Sequence, residues 1–165
     1  MSTLRRAAGF TIIELLMVVA ILGIFASLAA PSMADLLAST AVKGAQTDLY
    51  SALIAARSEA IKRRASATIA PVGADWTTGW TVTIGGTPAG CNVTGGNVFQ
   101  KVDKLKPRVV VSSTVVTCTP IVFAMNGRVS SGSQTLSFSD SVRTTVANRC
   151  VVIGSSGLPR RRTSC

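Results

Sequence analysis

The sequence predicts an α+β protein: a long N-terminal helix, its first half fit to span a membrane and its second half amphipathic, packed on a β-rich globular head. Three observations carry this. Residues 15–34 hold no charged side chain, and at about 1.5 Å rise per residue a helix over that run is roughly 30 Å long, the thickness of a bilayer core. Past Pro31, which should kink the helix, no proline recurs until position 71. There Val42, Ala45, Leu49, Leu53, Ala56 and Ala60 repeat at spacings of three and four, one apolar stripe suited to lie on a sheet. From about residue 66 the composition shifts from Ala and Leu to Val, Thr, Ser and Gly, in short alternating runs bounded by turn residues.

Composition narrows the chemistry. The chain has 165 residues, a size for one domain, with 17 Lys and Arg, 7 Asp and Glu, and no His, a net charge of +10. Without histidine there is no imidazole base, no Ser-His-Asp or Cys-His nucleophile system and no His-ligated zinc. Seven scattered carboxylates offer no paired acid and base. Hydrophobic residues at 47% exclude a disordered basic tail. The expectation is a non-enzyme with no cofactor and no metal.

The N-terminus carries the sharpest signal. A buried core helix and a secretory signal peptide, with Arg5 and Arg6 as its basic region and cleavage after Ser32-Met33-Ala34, are the competing readings of the apolar run. Glu14 argues against the signal peptide, because an ionised carboxylate near the centre of a bilayer costs about 2.5 to 3.5 kcal/mol and calls for a function. The residues Gly9-Phe10-Thr11-Ile12-Ile13-Glu14 followed by the apolar run resemble the class III leader of type IV pilins and the pseudopilins of type II secretion. That resemblance implies cleavage between Gly9 and Phe10 by a prepilin peptidase, methylation of Phe10, and a role for Glu14 in assembly. A carboxylate in lipid needs a cation, and the free amino group of a neighbouring subunit's Phe10 would supply one. Arg5 and Arg6 on the cytoplasmic side place the rest of the chain outside the inner membrane. The expected segments are a cleaved leader 1–9, a transmembrane and assembly helix 10–34, an amphipathic helix 35–65 and a head 66–165.

Lys62, Arg63 and Arg64 read as a solvated last helical turn that complements the helix dipole. The preceding segment Ala56-Arg57-Ser58-Glu59-Ala60-Ile61-Lys62-Arg63 is similar to the helix end of the FimT/GspH family of minor pilins and pseudopilins. Strands are expected at 67–72, 80–84, 97–102, 109–113, 121–125, 135–139, 148–153 and 161–164, with Asn126-Gly127 as a two-residue hairpin turn. Asp75-Trp76-Thr77-Thr78-Gly79-Trp80 resembles the W-x-x-G-W element of the same family's heads, its tryptophans read as core anchors in preference to base-stacking platforms. Cys91, Cys118, Cys150 and Cys165, in an exported chain, suggest disulfides with three possible pairings. If Gly157 and Leu158 form a hairpin tip, paired positions add to 315, so Cys150 faces Cys165 and Cys91 is left for Cys118. Zinc is disfavoured by the lack of any Cys-x-x-Cys spacing.

Charge is segregated. Residues 10–100 hold five basic and five acidic side chains, whereas residues 101–165 hold ten basic ones against Asp103 and Asp140. Loss of the leader would leave +8, all of it in the last 65 residues, the footprint of a polyanion-binding surface. The segment 149–162 is similar to the C-terminal end of FimT-type pilins, whose G-R-x-R motif binds DNA during natural transformation. Gly157 matches the glycine and Arg160 the last arginine, while Leu158 stands where the first arginine is expected; Arg161 and Arg162 would compensate. The expected DNA-binding residues are Arg160, Arg161, Arg162, Arg149, Arg143, Lys104, Lys106 and Arg108. The function expected is a minor pilin that binds double-stranded DNA without reading sequence and supports its uptake. Its partners are DNA, other pilins, the prepilin peptidase and the inner membrane. The alternatives are a structural minor pilin that primes or caps the fibre, or a pseudopilin of type II secretion.

Overall fold

Thr11 starts the long helix. Its Oγ1 accepts a hydrogen bond from the backbone N–H of Glu14 at 3.3 Å, and its carbonyl accepts from Leu15 at 3.2 Å. Thr11-Ile12-Ile13-Glu14 is thus spaced as a capping box, with the acidic residue in the first turn, at the positive end of the helix dipole. The computed structural model describes residues 10–115 and 118–165, leaving aside the side chains at 30 and 31; the expected leader, with Gly9, Arg5 and Arg6, lies outside the described residues.

Helix α1 runs over Ile12–Arg63 and remains helical through position 31. The chain divides into two compact units, Met1–Leu36 and Leu37–Cys165. In the first, α1 is long and apolar enough by length and composition to cross a membrane, and its large apolar side chains are exposed. Ser27 and Ser32 donate their hydroxyls to the carbonyls of Ile24 and Ala29 within the helix, which satisfies polar groups that lipid could not.

In the second unit α1 buries the expected stripe, Val42, Ala45, Leu49, Leu53, Ala56 and Ala60, together with Ala38 and Ala52. The helix ends at Arg64, which adopts a left-handed φ of 50° while Ala65 N–H reaches back to the carbonyl of Ala60. Glu59 bonds Arg63 and lies 3.7 Å from Lys62, so part of the basic last turn is paired locally.

The head has two four-stranded antiparallel sheets. The first is built from β1 (Ala67–Pro71), β2 (Gly79–Ile84), β5 (Asn97–Asp103) and β7 (Ile121–Phe123), in the order β5-β2-β1-β7. The second comprises β6 (Val109–Ser113), β8 (Gln134–Asp140), β9 (Arg149–Ile153) and β10 (Pro159–Arg162), in the order β10-β9-β8-β6. Strands β3 (Thr87–Ala89) and β4 (Asn92–Thr94) pair as a small hairpin that the sequence did not announce; its residues are almost all exposed, so no apolar alternation marks it. Trp76, in a short 3-10 turn capped by Asp75, and Trp80 are both fully buried with Ile69, Phe123, Leu136 and Phe138 in one core. The indoles therefore serve packing.

Two turn expectations need correction. Asn126-Gly127 does not form a two-residue turn: Ala124 N–H bonds the carbonyl of Arg128, leaving three residues in the loop, with Gly127 at φ 74° after a bond from its N–H to the carbonyl of Ala124. The β9–β10 hairpin has a five-residue connection, 154–158, and pairs Pro159 with Ile153 and Arg162 with Cys150. Paired positions therefore add to 312, and the expected register was three residues off. The cause is Gly157, which closes a turn to the carbonyl of Gly154 at φ 78° and packs so near Gly127 that a Cβ there would lie 1.9 Å from its carbonyl oxygen. The disulfides are nonetheless Cys150–Cys165 and Cys91–Cys118, because the chain beyond β10 turns back to bring the Cα atoms of Cys150 and Cys165 within 5.7 Å.

Candidate nucleic-acid interface

β10 is an edge strand, and its sequence Pro-Arg-Arg-Arg puts three guanidiniums on a strand with one open side. Arg160, Arg161 and Arg162 are all exposed. Alternation along the strand sends Arg161 to the same side as its partner Val151, a buried core residue, and Arg160 to the other side with Val152. On its side Arg161 meets α1, with its guanidinium carbon 4.9 Å from the centre of the Tyr50 ring.

The strand is held from two directions. The Cys150–Cys165 disulfide fastens the chain end, and Gln46 of α1, buried to 3% exposure, donates its side-chain amide to the carbonyls of Cys150 at 2.7 Å and Arg162 at 2.9 Å. Those two residues are register partners, so a single glutamine fixes both strands of the hairpin on the helix. Between hairpin and helix lies a recess of about 270 Å³ lined by Lys43, Gln46, Arg149, Arg161, Arg162 and Thr163. Four of these six residues are cationic and none is acidic.

The other expected DNA-binding residues lie elsewhere. Lys104 and Lys106 border a different recess with Ala41, Gly44 and Asp48, positions that at about 100° per residue fall on the opposite flank of α1 from Lys43, Gln46 and Tyr50. Arg108 precedes β6, at the far edge of the second sheet, and sits 3.7 Å from Asp140. The Asp140 carboxylate accepts from the backbone N–H groups of Val142 at 2.9 Å and Arg143 at 2.8 Å. Those two bonds, with Arg108 and Arg143 nearby, hold its carboxyl below the usual aspartate range. Arg108 and Arg143 thus organise a loop around a carboxylate. Lys101, outside the expected set, pairs with Asp103 at 2.6 Å. The structure brings Arg149, Arg161 and Arg162 to one recess, adds Lys43, keeps Arg160 on the same strand, and leaves Lys104, Lys106, Arg108 and Arg143 apart.

Sequence reasoning missed Lys43, Gln46 and Tyr50. They fall at i, i+3 and i+7 and so share one helical face, a signal available from spacing alone but hidden beneath the neutral charge balance of residues 10–100.

Comparison with known proteins agrees with this architecture. A family model described as Type II transport protein GspH matches residues 45–157, more than half of the chain, and a prokaryotic N-terminal methylation motif matches residues 4–30. No curated protein matches the sequence. Among solved structures, the type IV minor pilin FimU of Pseudomonas aeruginosa, in two crystal forms, is similar in fold. The first form has a TM-score of 0.59 at 20% identity, covering 75% of this chain and 88% of that one. The second has the same score and identity over 73% and 91%. With a methylation motif leading into the long helix and a GspH-type head behind it, the chain belongs to the GspH family of type IV pilin-like proteins.

Proposed function

We propose that the protein is a minor pilin whose head binds double-stranded DNA through its basic terminal hairpin, supporting DNA uptake in natural transformation. The observation that carries this reading is the arginine-rich edge strand β10, exposed, fastened to β9 and α1, and bordering a recess with four cations and no carboxylate. With the strand backbone held in this way, only side chains need ordering when the guanidiniums meet phosphate. Among the described residues there is no recognition helix, and both tryptophans are buried, so nothing in the site reads bases. Binding is therefore electrostatic and sequence-independent. Leu158 is half exposed at the position where the family motif has an arginine, which leaves the work to Arg160, Arg161 and Arg162 beyond Pro159.

The remainder of the proposal follows from the methylation motif. A prepilin peptidase cuts between Gly9 and Phe10, the helix anchors the subunit in the inner membrane with its head in the periplasm, and Glu14 pairs with a neighbouring pilin's N-terminus during incorporation into a pilus. Mass spectrometry should find a methylated Phe10 at the mature N-terminus; a start at Asp35 would overturn this processing. The task is insertion, assembly and holding of a polyanion, without catalysis.

The decisive experiment replaces Arg160, Arg161 and Arg162 with Gln and measures DNA gel shift at two salt concentrations beside transformation and piliation. Loss of DNA binding and of transformation with piliation intact is the expected outcome, and DNA binding retained at low salt would sink the assignment. A second reading, subunit of a fibre or of a secretion pseudopilus with no DNA role, is favoured by the GspH description of the matching family. It predicts lost assembly with unchanged DNA binding.

A further inference from the structure

We infer that the recess between α1 and the terminal hairpin is a phosphate seat, in which Lys43 and Arg149 act with Arg161 and Arg162 on one stretch of phosphodiester backbone. This seat rests on the reading that the head binds DNA, and it moves the centre of that contact from the end of the chain to the junction of three elements.

The charge pattern points there. Many cations elsewhere on the head come with local carboxylates: Lys62 and Arg63 with Glu59, Lys101 with Asp103, Arg108 with Asp140, and Lys104 and Lys106 beside Asp48 and Asp103. The recess is different, since Lys43, Arg149, Arg161 and Arg162 converge on about 270 Å³ lined by no acidic residue. Four like charges in one depression repel each other within a Debye length, about 8 Å at physiological salt, and an anion relieves that repulsion.

The site is also built. Each proton of the Gln46 amide has a backbone acceptor, so β9, β10 and α1 are locked in one geometry at the floor of the recess. Tyr50 lies 4.9 Å from the Arg161 guanidinium, which supports its face and leaves its N–H edge for an acceptor. Arg149 is half-buried on β9, and Lys43 approaches from the helix, one turn before Gln46. Phosphodiester, with two unesterified oxygens and a single negative charge per unit, suits donors that arrive from different sides. Arg160 and Arg162, which alternation sends to the other side of β10 from Arg161, contribute from the rim.

The test uses the full chain in detergent and a short fluorescent DNA duplex at several salt concentrations. Lys43→Gln and Arg149→Gln should each weaken binding several-fold at low salt and flatten the plot of log affinity against log salt by about 0.9. Lys62→Gln with Arg128→Gln removes as many charges away from the recess and should change neither by more than about twofold. If that pair weakens binding as much as Lys43→Gln with Arg149→Gln, diffuse net charge is responsible and the seat is overturned. A second measurement separates the seat from the DNA reading: NMR titration of the same chain with inorganic phosphate against chloride at equal ionic strength. Phosphate-specific shifts at Gln46, Arg149 and Arg162 that vanish in Arg149→Gln support the seat. The same shifts in a protein that binds no duplex uphold the seat and sink the DNA reading, whereas no shifts together with an unchanged salt slope in Lys43→Gln overturn the seat alone.

Discussion

Gln46 is a polar residue inside an apolar stripe, and its amide reaches two carbonyls more than a hundred residues away in sequence. Replacing it with leucine keeps the volume but strands the carbonyls of Cys150 and Arg162. Leaving buried acceptors unpaired costs about 1 to 3 kcal/mol, so urea unfolding of Gln46→Leu should show a loss of that size. A change under about 0.5 kcal/mol would mean that water replaces the amide without penalty. Asp140 makes a prediction about pH. Its carboxyl is held below the usual value first by the backbone N–H groups of Val142 and Arg143, then by the charges of Arg108 and Arg143. A carboxylate depressed in the folded state contributes stability that is fully present above its unfolded value, about 3.9, and is lost as pH falls through the folded one. Wild-type stability should therefore drop on acidification below about pH 4, and Asp140→Asn should flatten that part of the profile in denaturant titrations. An identical acid slope in the variant would assign the loss to other groups.

At the scale of the element, the terminal hairpin concentrates most of what is distinctive. Gly157 sits at φ 78° with its Cα facing the carbonyl of Gly127, so a methyl group there would strike backbone that cannot swing aside. Gly157→Ala should cost about 1 to 3 kcal/mol and spoil the contact between the two hairpin tips. The disulfide between Cys150 and Cys165 closes a separation of 15 residues. By the chain-entropy account such a loop contributes about 3 kcal/mol, so Cys150→Ala with Cys165→Ser should lower the unfolding midpoint and weaken DNA binding through a looser β10. Unaltered binding in that variant would show that Gln46 alone is enough to hold the strand. The hairpin also shows what a sequence can and cannot disclose. Its strands, its two cysteines and its arginines were legible from alternation, composition and family resemblance, as was the apolar stripe of α1, although the second strand lies at Pro159–Arg162, two residues before the expected 161–164. Its register was not, because Gly157 answers to Gly127, thirty positions back in the chain, and no local pattern encodes that approach. The split of the basic residues into separate clusters was hidden for the same reason: sums of charge along a sequence do not know which side of a helix a strand will dock on. Lys104 and Arg161 look equivalent in the count, yet they lie on opposite flanks of α1.

On the scale of the whole molecule, every buried core residue among those described lies at or beyond Ala38, while the chain divides at Leu36 and Leu37. The head therefore carries its own hydrophobic core, both disulfides and all the cations of the proposed interface, and the apolar run contributes none of these. A fragment beginning at Leu37 should unfold cooperatively, at a temperature close to that of the head in the full chain, and bind duplex DNA with the same salt dependence. With four phosphates neutralised that slope is about −3.6, so affinity should fall on the order of 100-fold between about 50 and 200 mM salt. What the fragment should lose is avidity. A single head with so few phosphate contacts binds weakly, and linked heads raise the effective concentration of each second contact, which can strengthen retention by about 100-fold or more without any new interaction. Full-length chains incorporated in a fibre or clustered on a bead should thus hold DNA at salt concentrations where the fragment releases it. Equal retention by fragment and array, measured on the same duplex, would mean that the heads bind independently and that fibre incorporation adds nothing to capture.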